Sequence, residues 1–99
     1  MTASLETARL RPSPDCVTRE IGGETVLLHL TRGTYYGLDA TGTVIWRMLE
    51  EGAADSLDAV IAGVAERFGR APDTIEQDIK TFLDDLHGNG LLLLDEAAP

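Results

Sequence analysis

One change of pattern divides this chain, and it lies between Leu38 and Asp39. Before it, apolar residues recur at every second position, as in strands that turn one face toward a core. After it, they recur at spacings of three and four, as in amphipathic helices. Strands therefore come first and helices follow, which predicts an α+β domain.

The first part of the chain predicts an antiparallel sheet of about three strands. A short strand at residues 17–21 is followed by a glycine pair that suits a turn. Residues 24–30 alternate clearly, and residues 34–38 are rich in strand-forming side chains. The connection between these two segments contains Gly33, which favours a hairpin.

The second part predicts three helices. Asp39 caps the first, at residues 40–51; Asp55 or Ser56 caps the second, which Gly69 ends. The third begins at Pro72 and stops near the glycines at 88 and 90, without a polar cap before the proline. With residues 91–94 as a brief last strand, this order is that of a winged helix-turn-helix.

The chain is the size of one domain. It has 99 residues, of which 43% are hydrophobic, enough for one modest core. Residues 1–15 contain two prolines and neither periodicity, so we expect a flexible N-terminal arm there. The predicted domain covers residues 16–95, and residues 96–99 are expected to be a frayed C-terminus.

Charge and cysteine content narrow the class of partner. Eight basic residues stand against 17 acidic ones, a net charge of −9, which disfavours nucleic acid and anionic membranes as partners. The single cysteine cannot form an internal disulfide, and the N-terminus has no secretory signal pattern. No apolar run approaches the roughly 20 residues that span a bilayer. We therefore expect a cytoplasmic protein.

The residues that could support chemistry form no recognisable constellation. Cys16, His29 and His87 are separated along the chain, and no nucleophile–base or metal-ligand spacing connects them. Trp46 shares a helix with apolar neighbours, which favours core packing. We expect no catalytic residues, no metal and no cofactor, so the chain is not predicted to be an enzyme.

The remaining distinctive feature is the segment at residues 34–38, with its two adjacent tyrosines. At a sheet edge, its backbone would offer a template for another extended chain. The third helix would form the wall of such a groove, with an apolar stripe that includes Phe82 and is flanked by Asp78 and Asp85. The same stripe also suits ordinary core packing, and spacing alone favours that alternative.

An ordered set of segments resembles the PqqD-like domains, also called RiPP precursor peptide recognition elements. The resemblance extends over residues 17–94. Its marks are Glu-Thr-Val-Leu-Leu at residues 24–28, Gly-Thr-Tyr-Tyr-Gly-Leu-Asp at 33–39, Thr-Gly-Thr-Val-Ile-Trp at 41–46, Asp-Ile at 78–79, Phe-Leu at 82–83 and Gly-Leu-Leu at 90–92.

The resemblance implies a site and a set of partners. The leader of a precursor peptide would add as a strand beside residues 33–38 and pack against the third helix. The implied leader-binding residues are Thr34, Tyr35, Tyr36, Gly37, Leu38, Ile75, Asp78, Ile79 and Phe82. The size and the tyrosine segment look most like the free-standing proteins of lasso-peptide clusters, which implies delivery to a separate cysteine leader peptidase of transglutaminase-like fold.

Two alternatives remain open at the level of sequence. The same leader-binding role could serve another pathway, such as maturation of pyrroloquinoline quinone or of a sactipeptide. A winged-helix DNA-binding regulator would share the order of elements, but its recognition helix ought to be basic. Residues 73–87 contain five acidic side chains and one lysine, which disfavours DNA.

Overall fold

The computed structural model describes residues 4–96 and confirms the α+β class, with strands before helices. An antiparallel sheet has the order β2-β3-β4, and β1 and β5 form a second, two-stranded antiparallel sheet. The elements are β1 (Ala8–Pro12), β2 (Cys16–Ile21), β3 (Glu24–His29), β4 (Thr34–Leu38), α1 (Ala40–Glu50), α2 (Leu57–Phe68), α3 (Pro72–Gly88) and β5 (Leu92–Glu96).

The hairpin between β3 and β4 is closed by its own backbone. Gly33 has a φ of +71°, a conformation that favours glycine, and its N–H donates to the carbonyl of His29 at 2.8 Å. The amide of Arg32 donates to Nδ1 of the same histidine at 3.1 Å. The buried imidazole is thus part of the turn that fixes where β4 begins.

The helix ends follow the predicted signals closely. The carboxylate of Asp39 accepts from the amide of Gly42 at 2.7 Å, Ser56 caps α2, and α2 ends at Gly69 with a φ of +62°. α3 begins at Pro72 although no side chain caps it. Proline compensates because its fixed φ is already helical and its missing N–H needs no partner.

The core lies between the three-stranded sheet and the helices. Trp46 is 1% exposed and its Nε1 donates to the hydroxyl of Thr18 on β2 at 3.0 Å, so its expected core role is confirmed. That hydroxyl donates in turn to Glu50 at 3.0 Å. Buried leucines from β3, α3 and β5 complete the same cluster.

The expectation of a flexible arm at residues 1–15 was wrong for the described part, residues 4–15. Leu10 is 2% exposed, pairs with Leu94 across the two small strands, and donates its N–H to the carbonyl of Asp55 at 2.8 Å. Residues 1–3 lie outside the described residues. The folded unit therefore extends at least to Ser4 rather than starting at Cys16.

The frayed C-terminus was predicted at residues 96–99. Glu96 is instead the last residue of β5, where it pairs with Ala8. Residues 97–99 lie outside the described part of the chain. The predicted last strand at residues 91–94 is present, shifted toward the C-terminus.

Within residues 4–96, no helix combines the length and the apolar character needed to cross a bilayer.

Candidate functional site

β4 is an edge strand whose outer side is open. It pairs with β3 on one side, and no other strand of residues 4–96 pairs with it. Its second edge therefore presents unpaired N–H and C=O groups. β2 is the other edge of this sheet, but α1 reaches over to it through the Trp46–Thr18 hydrogen bond and an Arg47–Glu20 ion pair of 3.2 Å.

The side chains of β4 alternate between two surroundings. Thr34, Tyr36 and Leu38 point to the helix side of the sheet, where Leu38 is buried. Tyr35 and Gly37 point to the opposite face, and Tyr35 is 76% exposed. A strand added along β4 would therefore place alternate side chains toward α3 on one face of the sheet and toward solvent on the other.

Tyr36 joins the edge strand to α3. Its hydroxyl donates to a carboxylate oxygen of Asp85 at 2.6 Å, and its ring centroid lies 6.4 Å from that of Phe82 at an angle of 60°. Burial raises the pKa of Tyr36 to about 12; the hydrogen bond to Asp85 and the negative charges of Asp85 and Asp39 act in the same direction. The phenol is therefore a neutral donor at physiological pH.

A cavity of about 510 Å³ opens where β4 ends, between the start of α1, the end of α2 and residues 75–82 of α3. The four α3 residues expected at a peptide site all line it: Ile75, Asp78, Ile79 and Phe82. Ile75 and Ile79 are also buried members of the core, so the core-packing alternative holds for them as well. Phe82 is only partly buried, so its ring is accessible from the cavity that it lines.

Sequence reasoning missed the other walls of this cavity. Phe68, the last residue of α2, and Arg70, in the connection to α3, were not predicted as site residues, yet both line the cavity. The sequence gives no sign that Gly42 lies beside Phe82, but in the structure a Cβ at Gly42 would lie 3.2 Å from Cζ of Phe82. Its missing side chain lets the phenylalanine ring approach α1 closely.

The rim of the groove is mainly acidic. Asp39 and Asp78 line the cavity and Asp85 holds Tyr36 beside it, and all three are exposed. Arg70 adds one positive charge on the far wall. Such a rim attracts basic groups that flank an apolar anchor, because opposite charges steer association.

Cys16 and His29 are opposite each other in the β2–β3 register, a proximity that their separation in sequence did not indicate. Burial, and after it the negative charge of Glu50, raises the pKa of the Cys16 thiol to about 11, although a backbone hydrogen bond at Leu28 acts in the opposite direction. The thiol is therefore protonated near neutral pH and a poor nucleophile.

His87 has a structural contact at the end of α3. Nδ1 of His87 lies 3.0 Å from the carbonyl oxygen of Leu92, which ties the end of α3 to β5. Across residues 4–96, no group of three His, Cys, Asp or Glu side chains is arranged to hold a metal ion. The arrangement that stands out is therefore a binding groove.

Comparisons with known proteins place this geometry in context. A family model described as Coenzyme PQQ synthesis protein D (PqqD) matches residues 24–92. The solved structure of TbiB1 in complex with the TbiA(β) leader peptide has a TM-score of 0.73 and 36% identity, and the match covers 90% of this chain and 99% of that one.

A second solved structure, lasso peptide synthetase B1 complexed with the leader peptide, has a TM-score of 0.73 and 26% identity, and its match covers 87% of this chain and 99% of that one. No curated protein matches this chain. Both solved structures span more of the chain than the family model does.

Proposed function

The chain belongs to the PqqD family, and we propose that it binds the leader region of a ribosomally synthesised precursor peptide as an added strand along β4. The observation that carries the proposal is the open edge of β4, which contacts α3 through the Tyr36 and Phe82 rings, with a cavity beside it that Ile75, Ile79 and Phe82 help to line. Both similar structures named above are complexes with leader peptides, which supports the same role here.

The backbone of β4 and the side chains of the cavity would have different roles in recognition. Backbone groups of Thr34–Leu38 pair with the leader and give affinity that depends little on its sequence. Side-chain selectivity comes from the cavity, where Ile75, Asp78, Ile79 and Phe82 receive an apolar anchor of the leader. The acidic rim favours Lys or Arg close to that anchor.

The bound leader would then be delivered to a separate enzyme, a cysteine leader peptidase of transglutaminase-like fold. The likeness to lasso peptide synthetase B1 complexed with the leader peptide supports the capture of the leader that this step requires. The raised pKa of the Cys16 thiol argues against this cysteine as a nucleophile. Since precursor peptides are made on ribosomes, the encounter takes place in the cytoplasm.

A titration tests binding. Fluorescein-labelled TbiA(β) leader peptide, and the precursor leader encoded nearest to this chain's gene, are titrated with the protein and followed by polarisation. We expect saturable binding, and a loss of at least about thirtyfold for Phe82→Asp, because the new charge would lie in a desolvated groove. Saturable binding that Phe82→Asp leaves unchanged would place the leader elsewhere.

A reconstitution tests delivery. The candidate peptidase is incubated with the full precursor, with and without the chain, and leader cleavage is followed by mass spectrometry. We expect the chain to increase the cleavage rate at precursor concentrations below the peptidase's own KM. An identical rate without the chain would remove delivery from the proposal and leave leader binding untouched.

The family description favours one second candidate, a leader-binding role in the synthesis of pyrroloquinoline quinone; sactipeptide maturation would use the chain in the same way. Parallel titrations with precursors of these pathways discriminate them, since the cognate leader should bind most tightly. DNA binding is disfavoured because Lys80 on α3 already contacts Glu76 at 3.8 Å and Glu6 at 4.0 Å. Tight, salt-sensitive binding of a labelled duplex would reverse that ranking.

A further inference from the structure

The face of the three-stranded sheet that points away from the helices carries an apolar row that ends at the open edge. Val17 on β2 is opposite Leu28 on β3, which is opposite Tyr35 on β4. Val17 and Leu28 are partly buried, whereas Tyr35 is 76% exposed. The tyrosine ring thus has a neighbour on one side and none on the side of the free edge among the described residues.

Gly37 follows Tyr35 on this same face and leaves bare backbone next to the ring. A Cβ at this glycine would meet nothing within 4 Å, and its φ is not in the positive region. Neither backbone strain nor crowding therefore requires glycine here. A glycine within a strand often marks a place where another group approaches closely, and an aromatic side chain on a neighbouring strand can cover it.

We propose that this patch, Tyr35 with Gly37, is a second recognition site that takes one aromatic or large aliphatic side chain of the leader. The inference rests on the proposed strand addition along β4, because a strand added there continues the Val17–Leu28–Tyr35 row by one residue. The bound side chain packs against the tyrosine ring and covers the glycine backbone.

The alternation of side chains along a strand also restricts the spacing of the two leader residues that the sites would bind. Successive side chains of the added strand point to opposite faces of the sheet. A leader side chain that enters the groove beside Phe82 and one that packs on Tyr35 must therefore be an odd number of positions apart. The groove beside Phe82 and the Tyr35–Gly37 patch together select a leader by the type of its two apolar residues and by the spacing between them.

The experiment is a double-mutant cycle. An alanine scan of the TbiA(β) leader peptide is titrated by fluorescence polarisation against the full chain and against Tyr35→Ala, Tyr35→Phe and Ile21→Ala. A displayed library of random 15-residue peptides, selected on the full chain, supplies a second probe. Ile21 is the matched control, because it is exposed on the same sheet but on β2, at the far edge.

We expect Tyr35→Ala to weaken binding about tenfold, with Tyr35→Phe and Ile21→Ala close to the unaltered chain. One large apolar leader residue should lose its effect in the Tyr35→Ala background, which is the signature of direct coupling. Equal affinity of Tyr35→Ala, or coupling to no leader residue, overturns the second site alone. Failure of the unaltered chain to bind either probe overturns the proposed function and this site with it.

Discussion

Replacing Phe82 with alanine separates the role of the groove from the stability of the fold. The ring packs at a tilt against that of Tyr36 and approaches the backbone of Gly42, and it lines the cavity. Truncating a fully buried phenylalanine lowers the free energy of unfolding by about 3–5 kcal/mol. Because this ring is only partly buried, we expect a decrease of about 2–3 kcal/mol.

That decrease leaves the variant folded. A domain of this kind is stable by about 5–15 kcal/mol, so even at the lower limit about 2 kcal/mol remains and roughly 97% of the chain is native. Its affinity for a leader is therefore measurable. Phe82→Ala removes one side of the pocket that would hold the leader's apolar side chain, so we expect the affinity for the leader to fall about thirtyfold.

Met48→Ala is the matched control. Met48 is also a partly buried apolar side chain, but it lies in a shallow cavity between α1 and α2, away from β4. Urea unfolding and leader polarisation are measured on both variants. We expect comparable losses of stability and a loss of affinity only for Phe82→Ala. Equal affinity of the two variants would refute the assignment of this ring to the groove.

Three further predictions test other parts of the structure. Tyr36→Phe removes the hydroxyl that donates to Asp85; since folding raises the Tyr36 pKa from 10.0 to about 12, that contribution is present below pH 10.0 and is lost as the pH rises toward 12. The ultraviolet difference titration of unaltered chain minus variant should therefore have its midpoint near pH 12, and a midpoint near 10 would contradict the contact. Cys16, with its raised pKa, should react slowly with maleimide at pH 7.5 and rapidly in denaturant; complete labelling of the folded chain within minutes would oppose this. Leu10→Ala should lower the free energy of unfolding by about 2–4 kcal/mol in urea titrations, whereas an unchanged midpoint would restore the flexible-arm interpretation.

The elements that sequence predicted well are those with local signals. α2 begins and ends where Ser56 and Gly69 indicate, and β4 has the predicted bounds because Gly33 fixes the turn before it. β1 was missed although Ala8 and Leu10 do alternate with two arginines. Five residues are too short a pattern to recognise, and the partner strand is at the other end of the chain.

For the site as well, features with a local sequence pattern could be predicted, whereas contacts between elements distant in sequence could not. The stripe of α3 and the tyrosine segment were visible in the sequence, and the structure joins them through the contacts of Tyr36 with Phe82 and Asp85, while the cavity itself is lined by the α3 residues and not by β4. Phe68 and Arg70 could not be assigned to it, because helical spacing places a residue on a face but does not say which element that face meets. The shared surroundings of Cys16 and His29 likewise depend on strand register, which spacing does not fix.

Backbone hydrogen exchange in Thr34–Leu38 tests the central claim most directly. Amides of this strand that point away from β3 are open in the free chain, and directions alternate along the strand. Nuclear magnetic resonance should show that saturating leader slows exchange at alternate amides of β4, with no comparable change along β2. A leader that binds tightly while these β4 amides keep their exchange rates would contradict strand addition.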